Sequence, residues 1–221
     1  MAAELIVDQG KEPECLSHWG TPCAESITCP LSFKGELKSS AQEESLVSDD
    51  TVTLDLLVIG AGPHSLSLLS RLVDEDPDLL TEKQRSHAMS KAKYARSKTA
   101  VREHLTKSYD ATTHLPKTLV VDSHGSWMAQ WAADFKAFGI EFLRSHQHMH
   151  CCPFDFQSLQ VWGEEQGRSK ELRAMEHVDR DESRKAGYYG PFVVPSSSLF
   201  LDFCYSLVKR YNLAPLVSRG T

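Results

Sequence analysis

Residues 56–66 read Leu-Leu-Val-Ile-Gly-Ala-Gly-Pro-His-Ser-Leu, and this segment carries the strongest indication of the architecture of the chain. The β-branched and aliphatic run from Thr51 to Ile59 is typical of a strand buried on both faces of a parallel sheet. After the glycines, leucines recur at every third position, which predicts a helix over 65–73. A strand, a glycine-rich turn and a helix in this order predict an α/β, Rossmann-like, three-layer domain that binds a dinucleotide.

The turn itself carries the residue types that a pyrophosphate requires. Gly60 permits the tight turn, and Gly62 lets the backbone approach the phosphates at the helix N-terminus. The third motif position needs a small residue, which here is Ser65. The ribose of the dinucleotide is usually bound by an acid that ends the second strand, and Asp122 ends the short hydrophobic strand 118–122.

Residues 81–117 separate the first helix from this second strand. They are rich in Lys and Arg and poor in apolar side chains, so we predict a partly helical surface insertion. A basic docking patch for an acidic partner is the alternative. If the insertion is a solvated appendage, a chain without residues 82–115 should still bind its cofactor.

The remaining segments predict a short set of further elements. Trp127, Trp131 and Phe135 are spaced four apart, as on one face of a helix. The predicted elements are a helix over 125–139, an extended segment over 143–152, a helix over 155–166, a polar loop or helix over 168–187, an ordered stretch over 193–195 and a helix over 197–211.

Composition limits the classes of function. The net charge of -6 gives no general attraction for nucleic acid or for an anionic membrane. No apolar run approaches the roughly 20 residues of a membrane span, and the N-terminus lacks a secretory pattern, so we expect a cytoplasmic protein. Residues 1–50 are acidic and lack periodicity, which predicts a disordered leader before a domain over 51–221.

Four stretches, in this order, resemble the N-terminal part of the flavoproteins related to lysine and ornithine N-hydroxylases. They are Leu57–Leu66, Val121–Trp127, Gly139–Ser145 and Val194–Phe200 followed by Phe203-Cys204. The resemblance covers about residues 52–213. It implies an FAD-dependent monooxygenase that takes electrons from NADPH in a second nucleotide-binding domain and hydroxylates a small molecule, an amine or a similar nucleophile.

The resemblance also implies which residues hold the FAD. Asp122 would bind the adenosine ribose, and Trp127 would pass near the flavin. Arg144 would hold an anionic flavin or a phosphate, although an ordinary ion pair is an equal alternative. The residues implied against the pyrophosphate are Gly60, Gly62, Pro63, His64 and Ser65.

Two departures from the family leave alternatives open. No second glycine-rich turn occurs before Thr221, so the chain is expected to be truncated, and it could be an inactive flavoprotein fragment or a nucleotide-binding interaction module. The run 146–152 departs from the family pattern, and its alternating histidines predict, as a second alternative, zinc or copper binding on one face of a strand. The residues of that alternative are His146, His148 and His150, with Cys151 or Cys152. The sequence identifies no catalytic acid or base and no oligomeric state.

Overall fold

The computed structural model describes residues 53–78, 95–186 and 191–220. The predicted leader over 1–50 and residues 81–94 of the predicted insertion lie outside these ranges. In chain order the elements are β1 (Leu56–Ile59), α1 (Pro63–Val73), α2 (Lys98–Thr106), α3 (Ala111–His114), β2 (Thr118–Asp122), α4 (Ala129–Ala137), α5 (Ser158–Glu165), β3 (Leu172–Ala174), α6 (Arg180–Lys185), β4 (Val193–Pro195), α7 (Ser197–Arg210) and β5 (Val217–Arg219). Single 3-10 turns occur at Ser169–Glu171 and Ala214–Leu216.

The centre of the fold is a parallel three-stranded sheet in the order β1-β2-β5. β3 and β4 form a separate antiparallel pair. The predicted α/β class is therefore confirmed. The order β5-β2-β1 is also compatible with a Rossmann-like fold, because it corresponds to the strands 3-2-1 of that architecture.

Only one face of β1 is buried, so the prediction of a strand covered on both faces is wrong. Val58 pairs with Val120, and both side chains point into the core. On the opposite face, Leu57 is 53% exposed and Ile59 is 83% exposed. The aliphatic composition of this run indicates a strand. It cannot show whether both faces of the strand are buried, because that depends on which elements pack against the sheet.

Helices α1 and α7 pack against each other beside the sheet. α1 buries Leu66 and Leu69 as its leucine spacing predicts, but Val73 takes the next core position and Leu72 is 51% exposed. α7 begins where Ser196 accepts a hydrogen bond from the backbone N–H of Leu199, a standard N-terminal cap. The helix predicted over 197–211 is confirmed.

Residues 95–117 are not a surface appendage, which corrects the prediction for this part of the insertion. Val101, His104, Tyr109 and Ala111 are all buried in the core. α2 packs on α5, and α3 packs on α1. The apolar residues of this segment are few, but their spacing brings them to one side, and the many Lys and Arg side chains cover the other side.

The region between β2 and α5 differs from its prediction in two ways. The helix is shorter than 125–139 and begins after Met128, so Trp127 lies outside it, while Trp131 and Phe135 stack with ring centroids 3.7 Å apart. Residues 143–152 form turns instead of an extended strand, because the Nδ1 atom of His146 accepts the backbone N–H of His148 and closes a tight bend.

The other predicted elements are found close to their places. The helix over 155–166 corresponds to α5, and the polar segment over 168–187 holds a 3-10 turn, β3 and α6. Throughout the described ranges, the helices are all too short or too polar to cross a bilayer.

Candidate functional site

The glycine turn between β1 and α1 leaves open space above the start of the helix. Gly60 has a φ of +91°, a conformation that other L-residues rarely adopt. A Cβ atom placed on Gly60 or Gly62 would meet no atom within 4 Å. Gly62 precedes α1 without a side chain to cap it, and Pro63 occupies the first helical turn. The N–H groups of that turn therefore face a space in which an anion can lie.

Two backbone–backbone hydrogen bonds and one hydrogen bond to a side chain fix this turn against its neighbours. The N–H of Gly60 donates to the carbonyl of Val121 at 2.8 Å, and the N–H of Met128 donates to the carbonyl of Ala61 at 2.7 Å. The N–H of Ala61 donates to Oδ2 of Asp122 at 3.0 Å. These hydrogen bonds within the chain hold the turn against β2 and against the start of α4.

Asp122 lies at the C-terminal end of β2, beside the turn, as the sequence predicts. Its Oδ1 accepts the backbone N–H of His124 at 2.8 Å, so each carboxylate oxygen has one protein donor. The hydrogen bond from Ala61, followed by that from His124, holds the pKa of Asp122 below its ordinary value, although burial opposes the shift. Asp122 is therefore ionised, and each oxygen keeps a lone pair that could accept a ribose hydroxyl.

Two further predicted residues lie at the start of α1. His64 is exposed, and Ser65 is half-buried next to it. The carbonyl of Pro63 accepts a hydrogen bond from the Cys151 thiol at 3.2 Å. The structure therefore brings Gly60, Gly62, Pro63, His64, Ser65 and Asp122 together around one turn.

Trp127 lies close to this group in the chain but points into the core. Trp127 is only 4% exposed, and its indole N–H donates to the carbonyl of Leu213 at 3.0 Å. Because its polar atom is already paired and its ring is covered, Trp127 offers little surface to a flavin. The prediction that it contacts the cofactor stays a prediction.

Arg144 lies elsewhere, in a cavity of about 530 Å³ between residues 142–144, the β3–β4 pair and the turn that follows β3. Arg173 lines the same cavity, with its guanidinium 5.5 Å from the centre of the Phe142 ring. Neither arginine forms an ion pair with any carboxylate of the described ranges. None of the residues of the glycine turn lines this cavity. Glu176 and His177 also line the cavity. Two guanidinium groups against one carboxylate leave an excess of positive charge, which can bind an anionic group on an organic ligand.

The histidine run does not have the geometry of a metal site. His146 and His148 are buried, and burial lowers the pKa of His146 to about 4 and that of His148 to about 2, so both rings are neutral near pH 7. The Nε2 atom of His150 lies 3.1 Å from the carbonyl oxygen of Phe156. In the part of the chain that the structure describes, no three His, Cys, Asp or Glu side chains converge to hold an ion. The prediction that these histidines lie on one face of a strand is wrong, because residues 143–152 form turns.

The structure adds residues that the sequence did not indicate. Arg219 pairs with Asp122 across β2 and β5, and its Nε donates to the carbonyl of Ser123 at 3.2 Å. The ring of His124 lies 3.7 Å from Oδ1 of Asp122. Arg173 lies in β3, and the pairing of β3 with β4 brings it to the cavity that Arg144 also lines. No local pattern marks β3 or β5, since each has only three residues.

The fold and the site together define a mixed α/β protein that carries an open glycine turn at the C-terminal edge of a parallel sheet. A scan against protein-family models finds no family that matches this chain. Searches of curated proteins and of solved structures likewise give no significant match.

Proposed function

We propose that this protein is an FAD-binding oxidoreductase that resembles the NADPH-dependent N-hydroxylating flavin monooxygenases. The observation that carries the proposal is the open, braced turn at Gly60 and Gly62 with the Asp122 carboxylate beside it. A pyrophosphate fits the helix N-terminus, and a ribose hydroxyl fits the carboxylate. NAD would fit the same turn, and the resemblance of the four sequence stretches is the reason for choosing FAD.

Each part of the site would have a separate task. The first turn of α1 would bind the pyrophosphate through its N–H groups, and Asp122 would orient the adenosine. Arg144 and Arg173 would hold an anionic group of a ligand in their cavity. The flavin would supply the redox chemistry when bound, with NADPH as the electron donor and an amine or similar nucleophile as the substrate.

A second candidate is a nucleotide-binding interaction module without catalytic activity. The exposed apolar face of β1 favours it, because Leu57 and Ile59 together offer a patch that a partner could cover. The two candidates share the dinucleotide turn and differ in whether NADPH is oxidised.

The Gly62→Val substitution tests the turn directly. The backbone of Gly62 is extended, with φ −93° and ψ −173°, so valine fits it. Because valine is a poorer N-cap residue than glycine, the substitution should cost about 1 kcal/mol of unfolding free energy. Its side chain would fill the space above the turn. We therefore expect a folded protein with no bound FAD, measured by the visible spectrum and by chromatography of the cofactor released on denaturation.

The matched control is Ala133→Val, which introduces the same side chain at an exposed position of α4. It should bind FAD as the wild type does. FAD binding by the Gly62→Val protein at wild-type affinity would contradict the proposal, as would a wild-type protein that binds NAD but takes up no FAD. Flavin binding without any NADPH oxidation would favour the second candidate.

A further inference from the structure

We propose that Cys151 and Cys204 form a thiol pair that hydrogen peroxide oxidises to a disulfide, and that this disulfide releases the glycine turn. The pair itself is independent of the proposed function. Its effect on nucleotide affinity rests on that function.

The two sulfurs are already close neighbours. Cys151 lies within the turn-rich segment before α5, Cys204 lies in the middle of α7, and their Sγ atoms are 4.0 Å apart. A disulfide bond measures about 2.05 Å, so the sulfurs must approach by roughly 2 Å. A side-chain rotation on the Cys151 side can supply that movement, because this residue lies in a bend and is not held in a strand or helix.

The pair touches the dinucleotide turn through one hydrogen bond. The Cys151 thiol donates to the carbonyl of Pro63, the first residue of α1. A sulfur in a disulfide has no hydrogen to donate, so oxidation removes this contact and draws the sulfur toward α7. The turn then loses a link between the start of α1 and the 144–151 segment.

The neighbouring Cys152 provides a natural contrast. Its sulfur is 4.0 Å from Nη1 of the buried Arg210, and among the described cysteines it contacts no second thiol. Both Cys151 and Cys152 are buried, at 4% and 7% exposure. Adjacent cysteines of similar burial therefore differ mainly in whether a partner sulfur is present.

The reaction requires one molecule of hydrogen peroxide as the oxidant. The Cys151 sulfur, as its thiolate, attacks a peroxide oxygen and becomes a sulfenic acid, with the other oxygen leaving as water after protonation. The Cys204 sulfur then attacks the sulfenic sulfur, loses its proton, and a second water leaves as the S–S bond forms. Two thiols lose two electrons and two protons in total, and the peroxide takes up both. Burial of both thiols makes the reaction slow and keeps the pair reduced in the absence of peroxide.

The test treats the full-length protein with hydrogen peroxide, blocks remaining thiols with an alkylating agent and maps disulfides by mass spectrometry of peptides. We expect a Cys151–Cys204 link that dithiothreitol reverses. Cys204→Ser should abolish the link, and Cys152→Ser should leave it unchanged. Hydrogen exchange of the amides of His64 and Ser65 should be faster in the oxidised protein. FAD affinity should fall about three- to tenfold, as expected for the loss of one weak hydrogen bond.

Several results would overturn the proposal. They are the absence of the link in folded protein, a link that involves Cys152 instead, and a link that leaves both amide exchange and FAD affinity unchanged. A protein that never binds FAD would sink the proposed function alone, because peptide mapping and amide exchange would still decide whether the thiol pair exists and acts on the turn.

Discussion

Asp122 combines two tasks at the edge of the sheet. One oxygen holds the N–H of Ala61 in the glycine turn, and the other holds the N–H of His124. Its lowered pKa keeps the side chain ionised down to acidic pH. A ribose hydroxyl would therefore meet a carboxylate that the protein has already oriented.

Asp122→Ala should weaken both the fold and the nucleotide site. Losing a charged acceptor for two N–H groups costs about 1–3 kcal/mol of unfolding free energy, measured by urea titration. FAD affinity, measured by fluorescence titration, should fall at least tenfold, which corresponds to about 1.4 kcal/mol.

Asp134→Ala is the control, because it removes a carboxylate from α4 away from the turn. It should leave FAD affinity unchanged. An Asp122→Ala protein that binds FAD as tightly as the wild type would remove this residue from the site.

The sequence predicts the residues of this turn because the chemistry is local. Gly60, Gly62 and Ser65 follow one strand directly, and Asp122 follows another. Arg173 and Arg219 escape prediction, because each reaches its place through pairing between distant short strands. The hydrogen bond from the Trp127 indole to the carbonyl of Leu213 escapes it for the same reason, although the aromatic spacing already favours a core position for this residue.

One buried cluster joins the ends of the helices α1, α2 and α7. Asp74 follows α1 and accepts hydrogen bonds from Tyr211, at the end of α7, and from Nε2 of His104 in α2 at 3.0 Å. His104 also stacks on Phe154 with ring centroids 3.7 Å apart. A half-satisfied carboxylate here would be costly, so the three helix ends depend on one another.

This cluster should make the protein sensitive to acid. Burial raises the pKa of Asp74, but the hydrogen bonds from His104 and Tyr211 outweigh it, and the pKa lies below its ordinary value. A lowered carboxyl pKa contributes stability at pH values above the unfolded pKa of about 4, and that stability is lost as the pH falls through the lowered value. Urea unfolding should show this loss, and Asp74→Asn should flatten the profile in that range.

Tyr211→Phe separates the hydrogen bond from the ring packing. It should cost about 1–3 kcal/mol of unfolding free energy at pH 7, because it leaves a buried carboxylate with one donor fewer. Tyr205→Phe is the control, since that side chain is 43% exposed on the same helix. Equal effects of the two substitutions would contradict a special role for the cluster.

The core role of α2 has its own test. Val101→Ala should destabilise the protein by about 1–3 kcal/mol, because this fully buried side chain leaves a cavity. Lys107→Ala, at the exposed end of the same helix, should change stability by less than about 0.5 kcal/mol. A Val101→Ala protein as stable as the wild type would restore the view of a detachable insertion. Composition alone cannot distinguish a core helix from a solvated insertion, because a helix with a single apolar stripe and many Lys and Arg residues has a basic composition in both cases.

The central sheet presents an apolar face to solvent. The side chains of Leu57 and Ile59 are the exposed pair on β1, which is also an edge strand of the described sheet. Exposed apolar edges promote association between chains. The sequence shows this apolar run clearly, but it cannot show that the run lacks a cover.

Ile59→Thr should reduce self-association without destabilising the fold. Threonine keeps the β-branched shape that suits a strand, and the change in stability should stay within about 0.5 kcal/mol. Light scattering over a concentration series should give a lower average mass for Ile59→Thr than for the wild type. Phe138→Thr, at a side chain 77% exposed after α4, should have no such effect. Equal masses for Ile59→Thr and the wild type would exclude this face as the cause.

The pairing of β1 with β2 and of β2 with β5 also determines when the central sheet can form during synthesis. Leu56 can pair only after Thr118 has been synthesised, and Val120 can pair with β5 only after Val217 has been synthesised. Every contact in the central sheet is thus long-range in sequence, a topology that folds slowly. During synthesis the glycine turn leaves the ribosome early, yet Asp122 and the strand that flanks it on the far side arrive much later. For a long interval, the nascent chain therefore contains the residues of the glycine turn but not the later residues whose hydrogen bonds fix its conformation.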